Sequence, residues 1–235
     1  MRWMYGAAAL TAACAMLHAQ QTQVLDRVVA VVNNQAILES DVQNELHLSA
    51  LDPERGRLRA LSARRALQML ISRALIQQQI GQGTVPIPEP TPDELKARLQ
   101  SMREQLPACV EANCKTDAGW AHFLEENGLT EAEVDEYLRQ RLVLLRFIET
   151  RFRQGIQISQ EQIAKYYNET LLPQYPKGET PPTLETVSPR IEEILLQQQV
   201  NALFSTWLSD LRKQGNVEVL DPALETSANG QGDQQ

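Results

Sequence analysis

Histidine is nearly absent from this 235-residue chain, which holds only His18, His47 and His122. No two of them stand at a metal-ligand spacing such as His-x-x-x-His. No glycine-rich loop follows an apolar run, so the usual cradle for a nucleotide phosphate is missing. No Gly-x-Ser-x-Gly elbow is present to raise a nucleophilic serine. Basic residues are outnumbered, 22 against 30 acidic, for a net charge of −8. That balance, with no basic stripe, argues against nucleic acid as a partner. Beyond the N-terminus no apolar run approaches the roughly 20 residues of a membrane-spanning helix. The expectation is a protein with no nucleotide, metal or cofactor and no integral membrane segment. No internal repeat stands out.

The N-terminus reads differently. Arg2 precedes an apolar run over residues 6–17, and Leu17-His18-Ala19 closes it with a small residue. This is the layout of a secretory signal peptide, cut between Ala19 and Gln20. Two other readings stay open. The run is short for a membrane span but could be a buried first helix. Thr11-Ala12-Ala13-Cys14 is a poor lipidation motif, because the expected leucine sits one residue early at Leu10. Removing residues 1–19 takes away Arg2 and no acid. The mature chain is then one unit more negative, and about 216 residues suffice for a real core.

Cys14 leaves with the signal, so Cys109 and Cys114 remain. In an oxidising compartment a close, even pair reads as a disulfide. In the loop-entropy model its closure contributes about 2 kcal/mol. A zinc site shared with His122 is the competing reading, and it is short of the four ligands structural zinc takes.

Along the chain, residues 24–32 are β-branched and nearly continuous, which predicts a buried strand. Asn33-Asn34-Gln35 can turn, and Ala36-Ile37-Leu38 would return. Ser40 with Gln43 reads as the capping box of a helix. A long helix is expected from about residue 57 to 80, with Leu67, Leu70, Ile71, Ala74 and Leu75 on its buried face. Gly81 and Gly83 end it, and Pro86, Pro88 and Pro90 stiffen the connector. Thr91-Pro92-Asp93-Glu94 starts a helix that stops at Pro107, where a cysteine loop follows. A shorter helix covers residues 117–127 before Gly128. Thr130 and Glu133 cap the next, to about residue 153, with Val134, Leu138, Leu142, Leu145, Ile148 and Phe152 as its stripe. Ser159 and Gln162 cap a short helix. Pro173, Pro176, Gly178, Pro181 and Pro182 mark a linker. Ser188-Pro189 starts the last helix, to about residue 214, facing inward with Leu196, Val200, Leu203, Trp207 and Leu211. Val217-Glu218-Val219-Leu220 is a closing strand, expected to pair with residues 28–32, because buried backbone groups need partners. The tail over 223–235 reads as disordered. The fold class is mainly α, about six helices with a small β element from the two chain ends.

Little else suggests catalysis. Glu125-Glu126 and Glu192-Glu193 have the spacing of solvated helix faces. Gln77-Gln78-Gln79 and Gln197-Gln198-Gln199 could bond a peptide backbone, or simply favour helix.

Val28-Val29-Ala30-Val31-Val32-Asn33-Asn34 followed by Ile37-Leu38-Glu39-Ser40-Asp41-Val42 resembles the mature opening of the SurA family of periplasmic chaperones. Residues 67–76 are similar to that family's next long helix. Gly128-Leu129-Thr130 with Leu138-Arg139 and Arg141-Leu142 resembles a later one. Residues 191–211 with 217–220 look like its returning C-terminal helix and strand. The resemblance implies a helical chaperone core over residues 20–222. Relatives carry parvulin prolyl isomerase domains where this chain has only the linker 171–187. A domain of that kind needs on the order of 90 residues. Gln35, where relatives often place glycine, and the cysteine loop are departures. The resemblance further implies a periplasmic holdase, with unfolded outer-membrane or other exported polypeptides as partners. Two other functions compete: a protein related to the prolyl isomerases, and an envelope adaptor, monomeric or homodimeric, that binds one fixed partner.

Overall fold

The computed structural model describes residues 26–53, 60–83, 86–176 and 178–225. The signal peptide with its Ala19–Gln20 cut, Cys14, the expected helix start at residue 57 and the tail from 226 lie outside the described residues. The rest is mainly α, with eight α-helices and one small sheet among the described residues.

The sheet begins with β1 (Val28–Val32) and β2 (Gln35–Leu38), joined by a tight turn in which Asn33 takes φ +57°. Asparagine is one of the few side chains that tolerate this region. β1 pairs antiparallel with β2, Val32 opposite Gln35 and Ala30 opposite Ile37. The register shifts between Val28 and Ala30. That irregularity explains why alternation fails: Val29, Ala30 and Val32 are all fully buried, while Val28 is exposed. Burying each valine contributes about 1.5–3 kcal/mol relative to leaving it in water. On its other side β1 pairs with β3 (Val217–Val219), Ala30 opposite Val219. The last strand thus closes on the first, as its unpaired backbone required. The sheet order is β2-β1-β3.

Helix α1 (Glu39–Leu48) follows β2 directly. Ser40 is not its cap. Asp41 reaches back to accept the Leu38 N–H at 2.8 Å, while the Ser40 hydroxyl donates to Asp26. A 3₁₀ turn over Ser49–Leu51 ends this segment. Helix α2 (Ala63–Gln82) starts later than expected, with the Ser62 hydroxyl accepting from the Arg65 N–H, and runs through Gly81 to a cap at Gly83. Helix α3 (Pro92–Gln105) has the expected reciprocal cap between Thr91 and Glu94. The cysteine loop is a short helix, α4 (Pro107–Ala112), capped by Asn113 in the left-handed region. Proline at its first turn costs nothing, since that N–H has no helical partner. Helix α5 (Asp117–Glu126) follows, then α6 (Glu131–Arg151), with the expected box between Thr130 and Glu133.

Helix α7 (Gln160–Tyr166) is capped by Ser159 and Gln162. It continues as a wide turn over Tyr167–Leu171 and a 3₁₀ turn over Leu172–Gln174. The last helix, α8 (Leu184–Gln214), begins four residues before Ser188 and takes Pro189 inside it. Glu185, whose carbonyl loses a partner to that proline, is exposed, so solvent can serve it. The irregular stretch between helices is therefore shorter than the expected linker. At the C-terminus Leu224 is half-buried against the sheet side of the core, so packing continues past residue 222.

Three apolar clusters hold these elements. One gathers the end of α1 with α3 to α6, around Leu51, Leu106, Trp120, Phe123 and Leu138. A second lies between the sheet, α1, α2 and the end of α8. The third joins α2, the end of α6 and the middle of α8 through Phe147, Phe152, Phe204 and Trp207. Two predicted stripe positions face away from these clusters: Leu145 and Leu203 are each 49% exposed. Phe147 and Phe204 join the third cluster beside the expected Ile148, Phe152, Leu196, Val200 and Trp207.

Candidate functional site

Where β2, α1, α2 and α6 approach one another, a hollow of about 400 Å³ opens. β2 supplies Ala36 and Ile37 to one wall, and α2 supplies Leu70, Arg73 and Gln77 to another. α1 contributes Asn44 and Glu45, and α6 contributes Glu136 and Tyr137.

The floor is ionic. Glu45 is 4% exposed and accepts two hydrogen bonds from the Arg73 guanidinium, at 2.7 and 2.9 Å. Glu45 is the buried partner and Arg73 is half-buried, so removing Arg73 would leave the Glu45 carboxylate buried without its counter-charge. Beside it the Oδ1 atom of Asn44 is buried with no hydrogen-bond partner. Leaving an acceptor in that state costs about 1–3 kcal/mol.

Among the described residues four carboxylates line the hollow, Asp41, Glu45, Glu133 and Glu136, with the guanidinium of Arg73, and Arg139 pairs with Glu136 at 3.3 Å. Asp41 is engaged by the Leu38 N–H. Glu133 accepts from the Thr130 hydroxyl and backbone N–H, each at 2.7 Å, and these bonds hold its carboxyl below the usual range. Glu136 is exposed and touches only neighbours on its own helix, Arg139 and Gln140. The hollow keeps a negative surplus. Among the described residues no serine, cysteine or histidine lines it.

A second hollow, about 410 Å³, lies between α3 and α6 and is lined by Pro90, Pro92, Leu95 and Leu99 with charged residues at its rim.

No family model matches this chain, and no curated protein does.

The residues singled out in the sequence fall elsewhere. Cys109 and Cys114 are joined at an S–S distance of 2.13 Å and are buried in the first cluster, away from the hollow's lining. His122 faces Glu126 on its own exposed helix surface, 3.3 Å away. Among the described residues no group of three or more His, Cys, Asp or Glu is placed to hold a metal ion, and no helix is long and apolar enough to cross a membrane. The glutamine tracts divide. Gln78 ties down the hairpin turn, donating to the Val32 carbonyl and accepting from Asn33. Gln77 faces the hollow, and Gln197 bonds Asn201 on its own helix. Sequence reasoning missed Asn44, Glu45 and Arg73. The only local signal was an acid on α1 and a base on α2, each within an otherwise apolar face.

Proposed function

We propose that this chain is an ATP-independent chaperone of the cell envelope, a holdase for unfolded outer-membrane or other exported polypeptides, with the overall plan of the SurA family and no isomerase domain. The observation that carries the reading is the closure of β3 on β1, which makes one helical core of the two chain ends. That is the arrangement the resemblance implies. The signal-like N-terminus supports an envelope location after a cut between Ala19 and Gln20. An open hollow with mixed apolar and polar walls supports binding rather than turnover. Residues 175–183, the stretch between the last 3₁₀ turn and α8, are too few to form a parvulin domain.

Holding an extended client needs contact area and adaptable polar groups, and no nucleotide. Affinity per contact should be modest, since ordering the client costs chain entropy. The test dilutes a urea-unfolded outer-membrane β-barrel into buffer with and without a several-fold excess of the purified chain. Light scattering should fall without ATP, and a proline-peptide assay run alongside should show no acceleration. Undiminished scattering would overturn the chaperone reading in favour of a fixed-partner adaptor. Isomerisation well above background would overturn the non-enzymatic part.

A further inference from the structure

The two outer edges of the sheet differ. On β2 the Asp41 carboxylate accepts the Leu38 N–H, which leaves little of that edge free. On β3 the pairing with β1 sets which groups turn outward. Asn33 donates its N–H to the Asn216 carbonyl at 2.7 Å, and Leu220 donates to the Val29 carbonyl at 2.9 Å. Bonded positions alternate along an antiparallel pair, so Glu218, opposite Val31, turns its N–H and C=O toward β1. Val217 and Val219 therefore turn theirs away from it. Among the described residues no strand pairs with that side of β3, and none bonds the N–H or C=O of either valine there. Both valines stay half-buried although their side chains pack against the second apolar cluster. An open edge of this kind is a template for an added strand.

The side chains beside that edge narrow the choice of occupant. Glu218 points to the opposite face from the two valines and is exposed. Among the described residues no cation stands within ion-pair distance of it. Leu220, two residues on, is 46% exposed, and Val28, at the start of the neighbouring strand, is 38% exposed. A second copy pairing across this edge would set Glu218 against its own counterpart, and like charges directly opposite weaken a strand pair. A lysine or arginine in the same place is favourable. The edge thus disfavours self-pairing and suits a cation set among apolar neighbours.

We propose that β3 takes up an extended client segment as a fourth strand, antiparallel to it, with a lysine or arginine of that segment opposite Glu218. The site rests on the chaperone reading for its partner, an unfolded client, and adds which segments are held. Val217 and Val219 supply contacts that any backbone can make, and Glu218 supplies the selection. Because Glu218 turns its own backbone groups to β1, the client's basic residue turns its backbone groups away from β3. Its two neighbours make the ladder bonds.

The probe is a fluorescein-labelled nonapeptide of alternating valine and threonine with lysine at its centre, beside the same peptide with glutamate there. Anisotropy titration of the full chain should favour the lysine peptide by about fivefold, the gap between opposite and like charges across a strand pair. Glu218→Lys changes an exposed residue and should reverse the preference. Glu192→Lys makes the same change of net charge on α8 and should leave the preference as it was. N-methylation of the two residues flanking the central lysine should abolish binding, and N-methylation of the lysine itself should not. Equal affinity for the two peptides, a preference that survives Glu218→Lys, equal effects of the two methylation patterns, or no binding at all would overturn the site. The barrel-scattering assay on the same proteins separates the two readings. Suppression by wild type with no peptide preference overturns the strand site and leaves the chaperone. A preference that reverses in Glu218→Lys, with no suppression of scattering, supports the strand site and sinks the chaperone.

Discussion

Glu94 shows how much one side chain near a helix start can carry. Its carboxylate accepts the Thr91 N–H at 2.7 Å and also meets the Arg146 guanidinium, which in turn donates to the Pro88 carbonyl at 2.7 Å. Helix α3, the proline connector and α6 are thereby tied together. The Thr91 backbone bond first, then Arg146, hold the Glu94 carboxyl down at about 2, from an ordinary 4.5. A depressed carboxyl stabilises the fold above its unfolded value and loses that contribution as pH falls through the folded one. Glu94→Gln should therefore lower Tm by its full amount above about pH 5, and the gap to wild type should close toward about pH 2. Melting both proteins across that range checks it. A gap that widens in acid would show that the link is not electrostatic. The capping half of this arrangement was legible in the sequence, because Thr91 and Glu94 lie three residues apart. The Arg146 half was not, since nothing in a one-dimensional pattern brings residue 146 to residue 94. Asn44 and the Arg73–Glu45 pair were hidden for the same reason.

Elements were predicted well where their signals are local and poorly where neighbours decide. The caps of α3, α6 and α7 stood where Thr91, Thr130 and Ser159 placed them. The inward faces of α6 and α8 were misjudged at Leu145 and Leu203, because α6 leaves one cluster for another along its length and the flank it buries changes. Helix α4 was missed because proline and a cysteine pair read as a loop, yet it packs beside α5 through Cys109 and Ala112. That packing depends on Gly119. A Cβ built there would lie 2.3 Å from the Ala112 carbonyl oxygen and 2.4 Å from that of Asn113, both main-chain atoms that cannot swing aside. Gly119→Ala should cost about 1–3 kcal/mol through forced displacement of α4. Chemical denaturation should record it as a lower midpoint with an unchanged slope. An unchanged midpoint would mean that α4 moves freely, and that the disulfide alone holds it.

For the molecule as a whole, the fold class and the pairing of its two ends were visible beforehand, the first from periodicity and the second from an orphan β-prone segment after the last helix. The hollow was not, because four separate elements build it and none carries a motif. The join between the ends is more than one ladder. Asn33 accepts the Asn216 N–H at 2.9 Å, and Arg27 pairs with Asp221 at 2.9 Å. At the turn into β3, Gly215 packs so tightly that a Cβ would come within 2.8 Å of Leu75. A chain ended after Gln214 should therefore melt about 10 °C lower, and in a single transition, as expected for loss of several kcal/mol in a domain of this size. Melting that is unchanged, or that splits in two, would show that the ends contribute separately. The same join governs the order in which the chain can fold. Among the described elements β1 comes first in the chain, and its second neighbour, β3, comes last. Contacts this distant in sequence are slow to form. Until they form, the first strand keeps an open edge of its own, which is a template for pairing with another chain.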